Sequence, residues 1–293
     1  PPPSGAVPRG SGKGRPPLPG ARVGGFAERT TEARALVGQT LGVGSRGVQL
    51  ERWAGQTTTA WVYAAARQDR SEVTVKVLRP QLETPERRRA WAALARRGSL
   101  PGTPEVLEGS AVAGKPAYLI YESLTGVGLD RALARDALSE SERESLLFDL
   151  LTIVAGAHAA GLAHLDLRPS KICRGSEGLF LLDLGHFGAL GASAPLRELL
   201  DPRYAAPEQA AGAPGDIATD VYQLGMLAHK VLFGRLPFVA TRAEDFWELQ
   251  LNGEPDLSAA EGLTRTVLGQ ALAHDPQSRY PSAGALLSAL YGV

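Results

Sequence analysis

Three polar residues between Ala160 and Gly185 have the types and spacing of groups that serve phosphoryl transfer. His164 and Asp166 open an H-x-D-L pattern, and Asp183 lies further along in an apolar-D-x-G pattern. Enzymes that move phosphoryl groups use such a pair of patterns as a catalytic loop and a metal-binding loop. The stretch therefore predicts a site for phosphoryl chemistry.

Five further motifs follow the order in which one family carries them. They are Val73-Thr74-Val75-Lys76, Ala206-Pro207-Glu208, the run Asp220–Gly225, the run Gly234–Phe238, and the run His274–Arg279. Together with the loop pair, they make the chain from about Val48 onward resemble a protein kinase, most like the eukaryote-like Ser/Thr kinases of bacteria. Several ordered motifs are more specific than any one of them.

The resemblance implies a bilobal α+β fold, with a β-rich small lobe carrying one main helix and a mostly helical large lobe. We expect a small lobe and hinge over residues 48–124 and a large lobe over residues 125–293. β-Branched runs around Val62 and Val75 predict strands. Thr84 predicts a helix start, and the capping box Ser139-Glu140-Ser141-Glu142 predicts another, whose apolar residues recur at helical spacing through Leu162.

The resemblance also assigns roles around the phosphates. Lys76 would grip the α- and β-phosphates of ATP, Asp166 would accept or orient the substrate hydroxyl, and Asp183 would hold Mg²⁺. Arg168 keeps the positive charge of the usual lysine. His164 is expected to be a structural hydrogen-bonding residue.

The base of the nucleotide would lie in a pocket of the small lobe and hinge. Val62, Thr74 and Cys173 would surround adenine, the segment from Glu122 to Leu124 would form the hinge, and Tyr121 would close the pocket behind the base. Gly55 would belong to the phosphate-covering loop. For Cys173, an inert buried side chain and an adenine contact are compatible interpretations.

Several positions depart from the family pattern, and each touches positioning or charge stabilisation. The glycine positions of the phosphate loop hold Thr57 and Ala60, and the helix glutamate that usually pairs with the strand lysine becomes Ala90 or Trp91. Leu165 replaces an arginine, and Leu200-Asp201 replaces Gly-Thr, so that Asp201 is a predicted partner of Arg168. A further departure, Lys171, lies at a position where kinases bind a metal ion. The full set of departures is Thr57, Ala60, Ala90 or Trp91, Leu165, Lys171 and Leu200-Asp201.

Lys171 is the decisive departure because it stands where kinases carry a metal-binding asparagine. Asparagine offers a neutral oxygen, whereas lysine offers only donors and a positive charge. Lys171 would weaken Mg²⁺ binding and could contact phosphate directly. We therefore expect a pseudokinase that binds ATP weakly and acts through protein contacts in signalling. An active atypical Ser/Thr kinase and a nucleotide-free scaffold are the alternatives.

Composition narrows the remaining classes. The 293 residues carry 31 basic and 31 acidic side chains, which argues against general nucleic-acid binding. The kinase resemblance implies a protein as the partner or substrate. The single cysteine excludes an internal disulfide framework and favours the cytoplasm. No apolar run reaches membrane-spanning length. The oligomeric state stays open.

Three further features of the sequence allow more than one interpretation. The chain begins without Met, which is typical of a fragment or processed chain, so the parent protein can hold a membrane anchor elsewhere. Residues 1–47 are Pro- and Gly-rich and are expected to be flexible, with a docking peptide as the alternative. An arginine cluster in the predicted small-lobe helix is interpreted as a solvated face, or alternatively as a site for an acidic partner.

Overall fold

The structure, a computed structural model, describes residues 31–42, 47–57, 59–97, 100–135, 138–184 and 197–293. Its first part is an antiparallel six-stranded sheet in the order β1-β2-β3-β4-β6-β5. The strands are β1 Thr40–Leu41, β2 Val48–Gln56, β3 Ala60–Ala66, β4 Glu72–Leu78, β5 Val106–Ser110 and β6 Tyr118–Glu122.

Strand β4 shows how the sheet separates its two faces. Successive side chains of a strand point to opposite faces. Val73, Val75 and Val77 accordingly belong to one apolar cluster of the sheet, whereas Thr74 and Lys76 line a cavity on the other side. The β-branched residues therefore form the core, and the polar residues between them reach the cleft.

Helix α1, Pro85–Arg97, covers part of the cleft face of this sheet. The Arg87 amide donates a hydrogen bond to Thr84 Oγ1 at 3.2 Å, so the predicted helix start is confirmed. Trp91 is fully buried in a cluster with Leu119 and Tyr121 of β6. Apolar packing therefore fixes the helix against the sheet.

Residues 31–42 belong to the folded small lobe, which corrects the predicted flexible segment over residues 1–47. Ala33 is buried, and the Tyr63 hydroxyl donates a hydrogen bond to its carbonyl oxygen at 2.7 Å. Strand β1 pairs with β2. The boundary predicted from composition is wrong here because Ala33 and Leu41 pack into the same apolar cluster as the valines of β4, on the outer face of the sheet. Residues 1–30 lie outside the described part.

The large lobe is mostly helical, and one extensive apolar cluster forms its core. Its helices are α2 Leu129–Arg135, α3 Glu140–Ala159, α4 Pro207–Ala210, α5 Ile217–Phe233, α6 Ala243–Asn252, α7 Gly262–Ala271 and α8 Ala283–Tyr291. The small sheet β7-β8-β9 joins it, with β7 Gly126–Gly128, β8 Ile172–Gly175 and β9 Gly178–Leu181. The predicted bilobal α+β architecture is confirmed.

Helix α3 begins where the capping box predicts. The Glu142 amide donates to Ser139 Oγ, and the Glu142 carboxylate accepts from the Ser139 amide at 2.8 Å. The helix ends at Ala159, before Gly161, whose φ of +71° is left-handed. Leu162 therefore lies beyond the helix, contrary to the sequence-based expectation.

No helix in the described ranges is long and apolar enough to cross a membrane.

Candidate functional site

A cavity of about 690 Å³ lies between the sheet and the large lobe, and it gathers most of the predicted site residues. Those that line it are Val62, Thr74, Lys76, Glu122, Leu124, Arg168, Lys171, Cys173 and Asp183. Gly55 and Asp166 are not among its lining residues. The sequence motifs therefore converge on one cleft, with Asp166 just behind its wall.

The apolar end of the cleft is built by strands from both lobes. Val62 lies on β3, Thr74 on β4, and Cys173 on β8. Cys173 is buried, and burial raises the pKa of its thiol, so the sulfur behaves as a small apolar group. Trp61 packs in the opposite, outer cluster of the sheet and leaves this end of the cavity open.

Two hydrogen bonds between Thr57 and Ala60 close the hairpin between β2 and β3. The Thr57 amide donates to the Ala60 carbonyl at 2.7 Å, and the Ala60 amide donates to Thr57 Oγ1 at 3.1 Å. The Ala60 amide is thus already engaged by a side chain. Gly55 has a φ of +148°, a conformation that other residues rarely adopt.

Asp183 stands between two lysines at the polar end of the cleft. Lys76 Nζ lies 2.5 Å from Asp183 Oδ1, and Lys171 Nζ lies 2.5 Å from Oδ2. All three side chains are buried. In such surroundings opposite charges attract more strongly than in water, so the two ammonium groups hold the carboxylate from both sides.

Lys171 also faces the catalytic loop. Its Nζ lies 3.6 Å from Asp166 Oδ2, while Arg168 Nε donates to Asp166 Oδ1 at 3.0 Å. Each oxygen of Asp166 therefore faces a cation. Lys171 bridges the two aspartates that the loop motifs predicted.

The neighbours of Lys76 differ from those of an ordinary kinase lysine. Its Nζ lies 4.7 Å from the centre of the Tyr121 ring, a cation–π distance. Burial, and secondarily the charge of Asp183, raises the pKa of Tyr121, which keeps its hydroxyl neutral. Trp91, and not the partly exposed Ala90, is the inward-facing residue of α1.

The carboxylates of the α1 region are engaged outside the cleft. Glu83 pairs with Arg88, and Glu86 lies 3.0 Å from Arg89. Arg88 also donates to the carbonyl of Val112 at 2.8 Å. Arg88 is therefore a structural residue, and the cluster is more than a solvated face.

Helix α5 positions the catalytic loop through buried polar side chains. The Asp220 carboxylate accepts hydrogen bonds from the amides of His164 at 2.6 Å and Leu165 at 2.7 Å. Gln223 accepts from the Leu167 amide at 2.7 Å. Leu165 has a φ of 65°, which costs energy for a branched side chain, so these anchors hold the loop in a strained turn.

His164 uses both ring nitrogens within this loop. Nε2 lies 2.7 Å from the Leu182 carbonyl oxygen and donates to it, since a carbonyl only accepts. Nδ1 accepts from the Asp166 amide at 3.2 Å. The predicted structural role of His164 is confirmed.

Asp201 has the predicted partner Arg168 and a second, closer partner. It pairs with Arg203, with Nε–Oδ1 at 2.9 Å and Nη2–Oδ2 at 2.6 Å, while Arg168 Nη1 lies 3.8 Å away. Burial opposes ionisation of Asp201, but the Arg203 hydrogen bonds and charge outweigh it and lower the pKa. The predicted ion pair with Arg168 is present, and Arg203 is an additional, closer partner that contacts both oxygens of Asp201.

The predicted pair of Glu208 and Arg279 is confirmed by two hydrogen bonds of 2.9 and 2.8 Å. The Arg279 side chain is fully buried, and its guanidinium lies over the Tyr222 ring at 4.9 Å. This pair fastens the segment after Asp201 to the last part of the large lobe.

Sequence reasoning missed several residues of the cleft and could not place others. Arg79 and Ser170 line the cavity, but neither belongs to a motif that would mark it. Arg203 could have been found from its spacing to Asp201. Gly185, which ends the apolar-D-x-G pattern, lies outside the described residues.

The cleft fits a nucleotide better than it fits a metal ion. Its volume, its apolar end and its buried cations suit a base and phosphates. Mg²⁺ needs oxygen ligands, yet both oxygens of Asp183 are held by lysines, and Lys171 brings no oxygen. In the described residues, no three His, Cys, Asp or Glu side chains are grouped as a metal site. The partners of Asp183 at this end of the cleft are thus two ammonium groups, which cannot act as ligands of Mg²⁺.

Comparison with known proteins identifies the family of the chain. Residues 49–288 match the family described as "Protein kinase domain". The chain is 28% identical to Serine/threonine-protein kinase pkn3 of Myxococcus xanthus over 90% of its length and 52% of that protein. It is 33% identical to Serine/threonine-protein kinase Pkn1 of the same organism, over 75% of this chain and 34% of that protein.

A third relative extends the comparison to another bacterial group. Serine/threonine-protein kinase PknA of Mycobacterium tuberculosis is 30% identical over 75% of this chain and 55% of that protein. The chain thus spans between about a third and about half of the length of these relatives. On the match that covers most of its length, the chain belongs to the protein kinase family, as a eukaryote-like bacterial Ser/Thr kinase domain.

Proposed function

We propose that this domain is a pseudokinase, which binds a nucleotide in the cleft, transfers phosphate too slowly to be measured or not at all, and acts through protein contacts. The observation that carries the proposal is the position of Lys171 between Asp183 and Asp166, at 2.5 and 3.6 Å. Transferring a phosphoryl group requires metal ions to neutralise developing charge. Lys171 occupies the place from which such a metal would be held.

The state of Asp166 supports the same conclusion. In kinases, the aspartate of this loop accepts or orients the substrate hydroxyl. Here Arg168 and Lys171 place a cation at each oxygen of Asp166. A substrate hydroxyl would therefore have to compete with Arg168 and Lys171 for the oxygens of Asp166.

The burial of Trp91 in helix α1 supports the loss of the contact that would position Lys76 in the small lobe. An active kinase holds the strand lysine with a glutamate from this helix. Trp91 instead fills the space with apolar surface, and Lys76 pairs with Asp183. Displacement of one catalytic contact can cost about 10²-fold in rate. Several such losses together should bring turnover close to zero.

An active atypical Ser/Thr kinase is the second candidate. Lys76, Asp166 and Asp183 are all present and come together at one end of the cleft. The relatives are named as Ser/Thr protein kinases, and a kinase domain implies ATP, Mg²⁺ and a protein substrate. A nucleotide-free scaffold is the third candidate, and the open cavity of about 690 Å³ counts against it.

The remaining assignments complete the proposal. We place the small lobe and hinge over 48–124, extended by the packed residues 31–42, and the large lobe over 125–293. The intact anchoring of the large lobe supports a role in binding another protein. The buried free thiol of Cys173 supports a reducing compartment such as the cytoplasm.

Thermal unfolding with ATP tests the nucleotide part. A ligand at about 100 times its dissociation constant stabilises by about 2.7 kcal/mol. In a domain of this size, that raises Tm by several degrees, at about 2–4 °C per kcal/mol. We expect the shift in the wild type and in the exposed-site control Lys115→Ala, and its loss in Lys76→Ala. No shift in any of the three would favour the nucleotide-free scaffold.

Transfer of labelled γ-phosphate from ATP tests the pseudokinase part. The assay offers the wild type itself and a mixture of Ser- and Thr-containing peptides as acceptors. We expect no incorporation above the level of Asp166→Ala. Incorporation by the wild type that disappears in Asp166→Ala would establish the active-kinase candidate instead.

A further inference from the structure

We infer that the cleft takes its nucleotide as the metal-free di- or triphosphate, with Lys171 as a built-in cation in place of Mg²⁺. This inference rests on the proposed nucleotide binding and names the form of the ligand. It starts from the disagreement between the residues present and the metal that the family implies.

Lys171 supplies a positive charge at the point where a metal would be coordinated. Its Nζ lies 2.5 Å from one oxygen of Asp183, and Lys76 Nζ lies 2.5 Å from the other. A Mg²⁺ ion bound by Asp183 would have to displace an ammonium group and then lie close to it. Repulsion between those like charges opposes the metal.

Positively charged side chains outnumber carboxylates in the lining of the cavity. The cavity is lined by four cationic side chains, Lys76, Arg79, Arg168 and Lys171, and by two carboxylates, Glu122 and Asp183. Glu122 accepts a hydrogen bond from the Glu105 amide at 2.9 Å, at the hinge end of the cleft. Asp166 adds a third carboxylate behind the wall, already facing Arg168 and Lys171. The cavity and its wall therefore hold four cationic side chains and three carboxylates.

Free nucleotide phosphates suit this excess better than their magnesium complexes do. Each ammonium group has three donors, so Lys76 and Lys171 can keep their contacts with Asp183 and also form charge-assisted hydrogen bonds with phosphate oxygens. Mg²⁺ would remove negative charge from the phosphates, and it would also compete with Lys171 for Asp183. Both effects reduce affinity, so Mg²⁺ should act against binding.

Isothermal titration measures this directly. ATP, ADP and adenosine are titrated into the wild type, Lys171→Asn, Lys171→Arg and the exposed-site control Lys115→Asn, each in EDTA and in excess Mg²⁺. Adenosine lacks phosphates and reports the base pocket alone. Tm without ligand checks that each variant is folded.

For the wild type and Lys115→Asn, we expect Mg²⁺ to leave the ATP affinity unchanged or to lower it. In Lys171→Asn, metal-free affinity for ATP should fall by about tenfold, which corresponds to one lost charge-assisted contact, and Mg²⁺ should now raise it. Lys171→Arg should behave as the wild type. Adenosine affinity should be the same in all four proteins.

Three results would overturn the inference. Tighter ATP binding by the wild type in Mg²⁺ than in EDTA would contradict it while leaving the proposed nucleotide binding intact. An unchanged response to Mg²⁺ in Lys171→Asn would remove Lys171 from the explanation. If ATP, ADP and adenosine all fail to bind in both buffers, then the proposed nucleotide binding fails together with the inference.

Discussion

Lys171 and Glu208 show how single charges act differently in two buried places of this domain. Lys171 brings a second ammonium group to Asp183, so the cleft binds its own carboxylate instead of leaving it for a metal. Glu208 instead satisfies one fully buried arginine, Arg279. In the proposed function the charge of Lys171 alters the chemistry of the cleft, whereas the charge of Glu208 maintains structure.

Glu208→Ala should destabilise the domain by about 3–5 kcal/mol at neutral pH, because it leaves Arg279 buried without its charge partner. The measurement is urea unfolding at pH 7, and the exposed Glu244→Ala is the control, with an expected change within about 0.5 kcal/mol. An equal, small effect of both substitutions would contradict the structural role of the pair.

The pair of Glu208 and Arg279 also predicts that the free energy of unfolding depends on pH. Burial opposes ionisation of Glu208, but the hydrogen bonds and charge of Arg279 outweigh it and lower the pKa. A group with a lowered folded pKa stabilises above its unfolded value, about 4.3, and loses that contribution as the pH falls through the folded value. The stability gap between wild type and Glu208→Ala should therefore narrow below about pH 4.3. A gap that stays constant down to pH 3 would exclude this linkage.

At the scale of elements, helix α1 is held by apolar packing where an ion pair is usual in the family. Trp91 is fully buried against Leu119 and Tyr121. Its indole therefore fixes the helix to the sheet whether or not a ligand is bound. The small lobe is expected to keep one arrangement of this helix.

Trp91→Ala should cost about 3–5 kcal/mol, the usual effect of emptying a buried aromatic site. Denaturant unfolding measures the loss, and Trp53→Ala, at a partly buried position on the outer side of the sheet, is the matched control with a smaller loss. If both variants unfold at the same denaturant concentration, Trp91 does not hold the helix.

Helix α5 has a comparable role for the catalytic loop. Asp220→Ala would leave two buried loop amides, those of His164 and Leu165, without their acceptor. Each such group costs about 1–3 kcal/mol, so we expect a loss of about 3 kcal/mol and faster amide exchange in residues 164–167. The exposed Asp149→Ala on α3 should change neither quantity. Slow exchange in Asp220→Ala would show that the loop is held by other contacts.

At the scale of the whole molecule, the fold and most of the cleft follow from the sequence. Local signals such as the Ser139 capping box and the order of motifs are sufficient to place the elements. Features that needed the structure include the packing of residues 31–42, the burial of Trp91 in the core, and the pairing of Asp183 with two lysines. Each depends on contacts between distant segments, which local patterns do not encode.

The fate of ATP held in the cleft tests the central claim most directly. Protein and ATP are mixed at equal, saturating concentrations, and the γ-phosphate is followed by phosphorus NMR over hours. We predict that bound ATP persists as long as ATP in buffer, in the wild type and in Asp166→Ala alike. Conversion to ADP with phosphate on Ser or Thr, at any rate that Asp166→Ala abolishes, would contradict the pseudokinase account.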